Sequence, residues 1–231
     1  MFKLTPISLL LWVTTVINAG GCMVSWKRRD AKGGLYFALA MMAITGWTLA
    51  SALDYAAISI PLKVLFAKIE YVCYHIAFVF FLMFSLAYAG REAWLKKVWV
   101  QGVLWSVPIL NSVLAWTNEW HGWLWSGFTS SETGDNVVIF HHGPGFVWVA
   151  ASNYLAIGLI FLNLWYAMRR SSELTRQQAR LLIGATLIPI AGNLLYLLEI
   201  IPKTQGVDWT SLFFSFSGIL FLMALYGTRL L

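Results

Sequence analysis

The chain has 231 residues, of which 59% are hydrophobic and 11% charged, and its mean hydropathy is +0.70. A soluble globular domain carries about 25% charged residues, so the composition excludes one and leaves no room for a soluble catalytic domain beside the apolar stretches. The formal net charge of +6 does not indicate nucleic acid, because the bases flank apolar stretches instead of forming a recognition stripe.

Seven stretches of transmembrane length, about 20 residues each, follow one another at 6–25, 33–56, 62–89, 98–116, 146–168, 181–200 and 211–226. They predict an all-α membrane protein, a seven-transmembrane helix bundle in which residues 1–231 form one domain. Every second loop is basic: Lys27, Arg28, Arg29 and Lys32, then Arg91, Lys96 and Lys97, then Arg169, Arg170, Arg176 and Arg180. With Arg229 these are twelve of the sixteen bases, leaving Lys3, Lys63, Lys68 and Lys203 for the other side. The positive-inside rule then predicts the N-terminus outside and the C-terminus cytoplasmic.

The first stretch resembles a secretory signal, with Lys3 before an apolar run and Ala19, Gly20 and Gly21 before Cys22. The run continues through Met23 and Val24 into the basic cluster, so it reads as a first span. Cys22 and Cys73 are too few for a disulfide framework or metal site and are expected to be small buried hydrophobes. The second span places Asp54 on one face with Trp47 and Ser51.

In the third span the helical repeat of about 100° per residue puts Lys63, Glu70 and Tyr74 on one face and Lys68, Tyr71 and His75 on another. Lys63 and Lys68 are expected to snorkel to the outer interface. Glu70 is expected either to pair with one of those lysines or to receive a ligand cation or amine. His75 reads as a hydrogen-bonded core residue or a ligand contact. No other span contains a histidine, so bis-histidine haem is not expected, and no cofactor is predicted.

Between the fourth and fifth spans lies a loop of about 29 residues, long enough to suggest function. Trp120, Trp123, Trp125, Phe128 and the run from Val137 to Phe140 flank a turn-rich segment at 130–136, which predicts an extracellular β-hairpin capping the bundle. Trp116, Trp120 and Trp125 suit either an interfacial belt or a ligand wall. His121, His141 and His142 are not expected to bind metal, since adjacent strand residues point to opposite faces.

The fifth span contributes Trp148, Asn153 and Tyr154, and the sixth Pro189, Asn193, Tyr196 and Glu199. Asn193 could alternatively repair a helix kinked at Pro189. Asp208 and Thr210 open the seventh span, Asp208 as N-cap or ligand contact. These polar residues collect toward the outer end, which predicts a cavity opening outward. The last lysine is Lys203, so the seventh span offers no Schiff-base lysine for retinal.

The order and spacing of Trp47, of Lys68, Glu70 and Tyr71, of Asn118 and His121, and of Gly143, Pro144, Phe146, Trp148 and Tyr154 resemble the N-terminal seven-transmembrane domain of bacterial sensor histidine kinases. The resemblance continues through Gln178, Leu181, Leu182, Pro189, Gly192, Asn193 and Tyr196 to Asp208, Thr210, Phe216, Gly218, Arg229, Leu230 and Leu231. It covers essentially the whole chain, with Ser211 standing where the family tends to have proline. It implies a bacterial cytoplasmic-membrane input module, followed in the family by a PAS, histidine-kinase or diguanylate-cyclase output domain. The 231 residues are thus expected to be the sensor region alone.

The resulting expectation is a receptor for a small molecule, lipid or hydrophobic peptide bound in the outer half of the bundle, signalling through the seventh helix to a cytoplasmic output domain. Candidate ligand-binding residues are Asp54, Lys68, Glu70, Tyr71, His75, Trp120, His121, Trp148, Asn153, Asn193 and Tyr196, with the aromatic loop as lid. Lipids and a second copy of the chain are possible further partners. The rival expectation is a small transporter or channel with Asp54, Glu70 and Asn193 along a path, against which stand the apolar inner halves of the third and seventh spans.

Overall fold

The computed structural model describes residues 2–131, 136–170, 173–197 and 208–226, the side chains of 173–175 and 195–197 excepted. Helix α1 (Pro6–Lys27) opens on a reciprocal capping box: Thr5 Oγ1 accepts from the Ser8 N–H at 3.1 Å and Ser8 Oγ from the Thr5 N–H at 2.8 Å. Pro6, at the first helical position, has no N–H to leave unsatisfied there. The chain reverses through the basic loop into α2 (Gly34–Ala56). Gly33 has φ of +73°, and a Cβ on Gly34 would lie 2.7 Å from the Arg28 carbonyl oxygen, so this turn needs both glycines.

After a corner at 57–59, α3 (Ile60–Tyr88) runs 29 residues, and a short α4 (Glu92–Leu95) leads into α5 (Val98–Trp116). A single turn, α6 (Asn118–His121), then gives way to strands β1 (Trp125–Ser130) and β2 (Val138–His142). The expected hairpin forms, antiparallel, with Phe128 opposite Phe140 and Ser130 opposite Val138, and an irregularity between Trp125 and Gly127. Helices α7 (Gly145–Arg170), α8 (Glu173–Leu197) and α9 (Thr210–Tyr226) complete the described residues.

Five of these helices, α1, α2, α3, α5 and α7, are long and apolar enough to cross a membrane by length and composition, and α9 is a shorter apolar helix. Helix α8 begins eight residues before the predicted span, because Glu173, Arg176, Gln177, Gln178 and Arg180 are competent helix formers even though they are not apolar. Large apolar side chains are exposed along the outer faces, among them Val16 on α1, Val98 on α5 and Leu155 on α7. Water does not favour such faces; lipid does.

Helix α3 is central, packed against α2, α5 and α7, while α7 meets α8, α8 meets α9 and α9 returns to α2 and α1. Five helices, α2, α3, α7, α8 and α9, therefore close a ring. At the end carrying the basic loops its centre is filled by Phe37, Phe81, Phe84 and Phe221, with ring centroids 5.2 to 6.1 Å apart. That end also shows an aromatic and arginine belt: Arg28 over Tyr226 at 5.3 Å, Arg169 over Trp165 at 5.2 Å and Arg91 over Tyr166 at 4.2 Å.

The opposite end, which carries the hairpin, is tied together by backbone acceptors. Asn136, in a left-handed conformation at φ +59°, donates from Nδ2 to the Tyr55 and Ala57 carbonyls at 3.0 and 2.9 Å. Asn118 accepts at Oδ1 from the Leu124 and Trp125 N–H groups, both at 3.0 Å, and donates to the Trp125 carbonyl at 2.9 Å. These bonds seat the hairpin across the mouth of the ring.

Candidate functional site

A cavity of about 160 Å³ lies at the hairpin end of the ring, with walls from α2, α3, α7, α8, α9 and both strands. Helix α2 brings Trp47, Ser51, Asp54 and Tyr55 to one wall through its helical repeat. Helix α3 supplies Lys63, Glu70, Tyr71 and Tyr74, α7 supplies Asn153 and Tyr154, and α8 supplies Asn193. Asp208, Thr210 and Phe214 stand at the start of α9, and Trp125, Val138, Phe140 and His142 form the roof.

Glu70 is the best-held acid of this wall. Its Oε2 accepts from the Ser51 hydroxyl at 2.6 Å and from the Trp47 indole N–H at 3.2 Å. Two bonds on one oxygen hold the group in place, while Oε1 accepts nothing from the described side chains. Ten residues into α3, Glu70 lies about 15 Å along the helix from its first residue.

The expected pairing of Glu70 with a lysine is not what forms. Lys63 does not snorkel; it is 2% exposed and its ammonium donates to the Asp54 carbonyl oxygen at 2.7 Å, because it lies beneath the α2–α3 corner, where that carbonyl is in reach. Lys68, on the other face, makes an ion pair with Glu119 and donates to the Trp116 carbonyl at 3.4 Å. That ion pair holds the Glu119 carboxyl below its usual range, the hydrogen bond from Lys68 being the main cause. Asp54, 9% exposed, keeps Oδ1 buried with no hydrogen-bond partner.

Asp208 takes both expected roles. Its Oδ1 accepts from the Thr210 N–H at 2.8 Å, capping α9, and the residue also lines the cavity. Burial pushes its carboxyl above the usual range, with the Thr210 bonds opposing. Its own N–H donates to the Tyr55 hydroxyl at 2.8 Å, tying α9 to α2. Asn193 accepts from the Tyr154 hydroxyl at 2.7 Å and donates to Thr210 Oγ1 at 3.4 Å, so its amide bonds between helices and not into its own helix at Pro189.

Of the candidate ligand-binding residues, Asp54, Glu70, Tyr71, Asn153 and Asn193 line the cavity. His75 does not. Its Nδ1 meets the Tyr71 carbonyl at 2.6 Å and its Nε2 meets Asn111 Nδ2 at 2.8 Å. Trp148 closes the same network, its indole donating to Asn111 Oδ1 at 2.9 Å, from outside the cavity. An indole only donates, so it fixes the Asn111 amide, which then donates to Nε2 and makes His75 a neutral core histidine. Trp120 is 86% exposed, and His121 bonds Thr117 Oγ1 at 3.1 Å and the Trp123 N–H at 2.9 Å; both belong to the rim. Lys68 is likewise spent on Glu119, and Tyr196 lies outside the described side chains.

Trp47, Ser51, Lys63, Tyr74, His142 and Phe214 are wall residues beyond the predicted set. The face shared by Trp47, Ser51 and Asp54 was legible and points to the first two. His142 stacks on Phe146 at 3.6 Å between ring centroids, while His141 turns away to Thr129 at 3.0 Å. Their separation follows strand alternation. Among the described residues no group of three or more His, Cys, Asp or Glu is placed to hold a metal ion.

A family model described as the N-terminal 7TM region of histidine kinase matches residues 10–231 of the chain. No curated protein matches it.

Proposed function

This chain belongs to the family of N-terminal seven-transmembrane regions of histidine kinases, and we propose that within such a kinase it is the receptor for a small ligand bound in the hairpin-end cavity. The carrying observation is a preformed cavity with aromatic walls and a fixed carboxylate, Glu70, inside a membrane sensor region. In this reading the hairpin end faces outward and the basic end faces the cytoplasm of a bacterial cell, which the distribution of bases supports. The chain itself does no chemistry; its parent carries the output domain.

Ligand binding shifts the bundle between two arrangements, which it does only by preferring one of them. Helix α9 is the element placed to report that shift. Asp208, Thr210 and Phe214 stand in the cavity wall at one end, and Tyr226 at the other end lies under Arg28 and against Phe37. A ligand that moves the first end moves a helix that leads toward the output domain.

The test is the output of the full-length kinase in membranes, measured as autophosphorylation across inducing conditions. Glu70→Gln, Asn193→Ala and deletion of the hairpin are each expected to change it, and unchanged output from all three would overturn the receptor reading. A transport role is disfavoured because the ring is filled by phenylalanine at its basic end. Solute flux through proteoliposomes containing the protein would reinstate it.

A further inference from the structure

We propose that the cavity takes a small organic cation, an amine or quaternary ammonium whose apolar body is about one ring in size, with the charged head between Glu70 and Asp54. This names the ligand class for the receptor reading above and rests on it.

Charge is the first ground. Three acids, Asp54, Glu70 and Asp208, line the cavity against one lysine, Lys63, and the Lys63 ammonium already serves the Asp54 carbonyl oxygen. An anion entering there would meet three acids and one committed ammonium; a cation would meet acids that its own charge helps to ionise.

Unmet hydrogen bonding is the second and independent ground. Asp54 Oδ1 is buried and unpartnered in the wall, and both bonds to Glu70 fall on Oε2. A buried acceptor without a donor, as Asp54 Oδ1 is, is rare in native proteins and calls for an explanation. The tyrosine and asparagine groups around them are largely committed, Tyr154 to Asn193 and Asn193 to Thr210. A ligand ammonium brings the missing donors together with the missing charge.

The walls are the third. Trp47 lies 5.3 Å from Tyr74 and 5.2 Å from Phe214, and Tyr71 lies 5.1 Å from both Tyr74 and Trp125. Aromatic faces attract cations, most strongly when water is excluded. Size follows from the volume: about 160 Å³ is close to a cavity of about 150 Å³ that admits one benzene ring. A smaller apolar cleft of about 20 Å³ shares Phe78, Ile157, Pro189 and Phe214 with the first and continues to Phe81 and Phe221. It extends the site for the apolar body away from the acids.

The experiment measures saturable binding of three probes of nearly one shape to the chain in lipid nanodiscs: 2-phenylethylamine, 2-phenylethanol and 3-phenylpropionate. The amine is expected to bind at least tenfold more tightly than the alcohol, with no saturable binding of the carboxylate. Glu70→Gln and Asp54→Asn, each checked for an unaltered melting transition, are expected to weaken amine binding at least tenfold. Equal or tighter binding of alcohol or carboxylate, amine binding indifferent to both variants, or binding of none of the three overturns the proposal. The comparison of probes on the unaltered protein stands even where a variant fails to fold. Amine binding that obeys these rules, in a kinase whose output ignores the substitutions above, upholds the ligand class and removes the receptor role; altered output with no amine binding does the reverse.

Discussion

His75 and Asn111 show how a buried polar pair in a membrane bundle is made safe. Asn111 is fully buried, and its amide is shared among His75, Trp148 and Ser152, so each donor finds an acceptor on another helix. Asn111→Ala strands the indole N–H and the imidazole nitrogen together. It is expected to cost about 1–3 kcal/mol, read as a lowered melting transition in nanodiscs, while amine binding in the cavity persists. Glu119 offers a different case at the rim. Its carboxyl is held low by Lys68, so its stabilisation is present above the ordinary glutamate pKa and is lost as the pH falls through the depressed folded value. With its side chain 59% exposed, the pair is worth under about 1 kcal/mol. Glu119→Gln should therefore lower the melting temperature slightly at neutral pH, and the difference should vanish in acid; a gap that persists there would contradict the ion-pair account.

At the scale of the element, the hairpin is held by a few backbone-directed contacts more than by its own two strands. An isolated two-stranded hairpin is marginal in water; here Asn136 and Asn118 fasten it to neighbours, and Trp125 of its first strand packs on Tyr71 of α3. Asn136→Ala removes two hydrogen bonds and places alanine at φ +59°, where a side chain other than Asn or Gly costs roughly 1–2 kcal/mol. Asn136→Gly removes the bonds alone. Alanine is expected to lower the melting temperature more than glycine, and equal effects would argue that the backbone conformation is unimportant. Gly143 joins the hairpin to α7, and a Cβ there would lie 2.3 Å from the Trp123 carbonyl oxygen. Gly143→Ala must shift backbone, and is expected to cost about 1–3 kcal/mol and to loosen probe binding because the roof moves.

For the whole molecule, the division of labour between ends matters most. The basic end is filled with closely packed phenylalanine rings and bordered by arginine over aromatic rings, while the hairpin end keeps a cavity lined by three acids. The receptor role proposed above needs that asymmetry: one end open to a ligand, the other rigid enough to transmit movement of α9. Orientation is checked by labelling intact cells with a membrane-impermeant maleimide after Cys22 and Cys73 are changed to serine. Thr129→Cys on the hairpin is expected to label on intact cells and Lys32→Cys only after lysis; the opposite pattern would invert the receptor.

The amino-acid order by itself determined the helices, the hairpin and which end would be polar, because hydropathy, loop charge and turn residues are local properties of the chain. It also placed Glu70, Asp54 and Asn193 on helix faces that line one cavity, since helical periodicity follows from spacing alone. Only the tertiary structure decided who pairs with whom. Lys63 reaches a backbone carbonyl, Lys68 reaches Glu119 from another element, Trp47 and Ser51 take Glu70, and His75 and Trp148 meet over Asn111 outside the cavity. The physical reason is that a buried polar group takes whichever partner the packing of other helices brings within about 3 Å, and spacing within one helix carries no information about that distance.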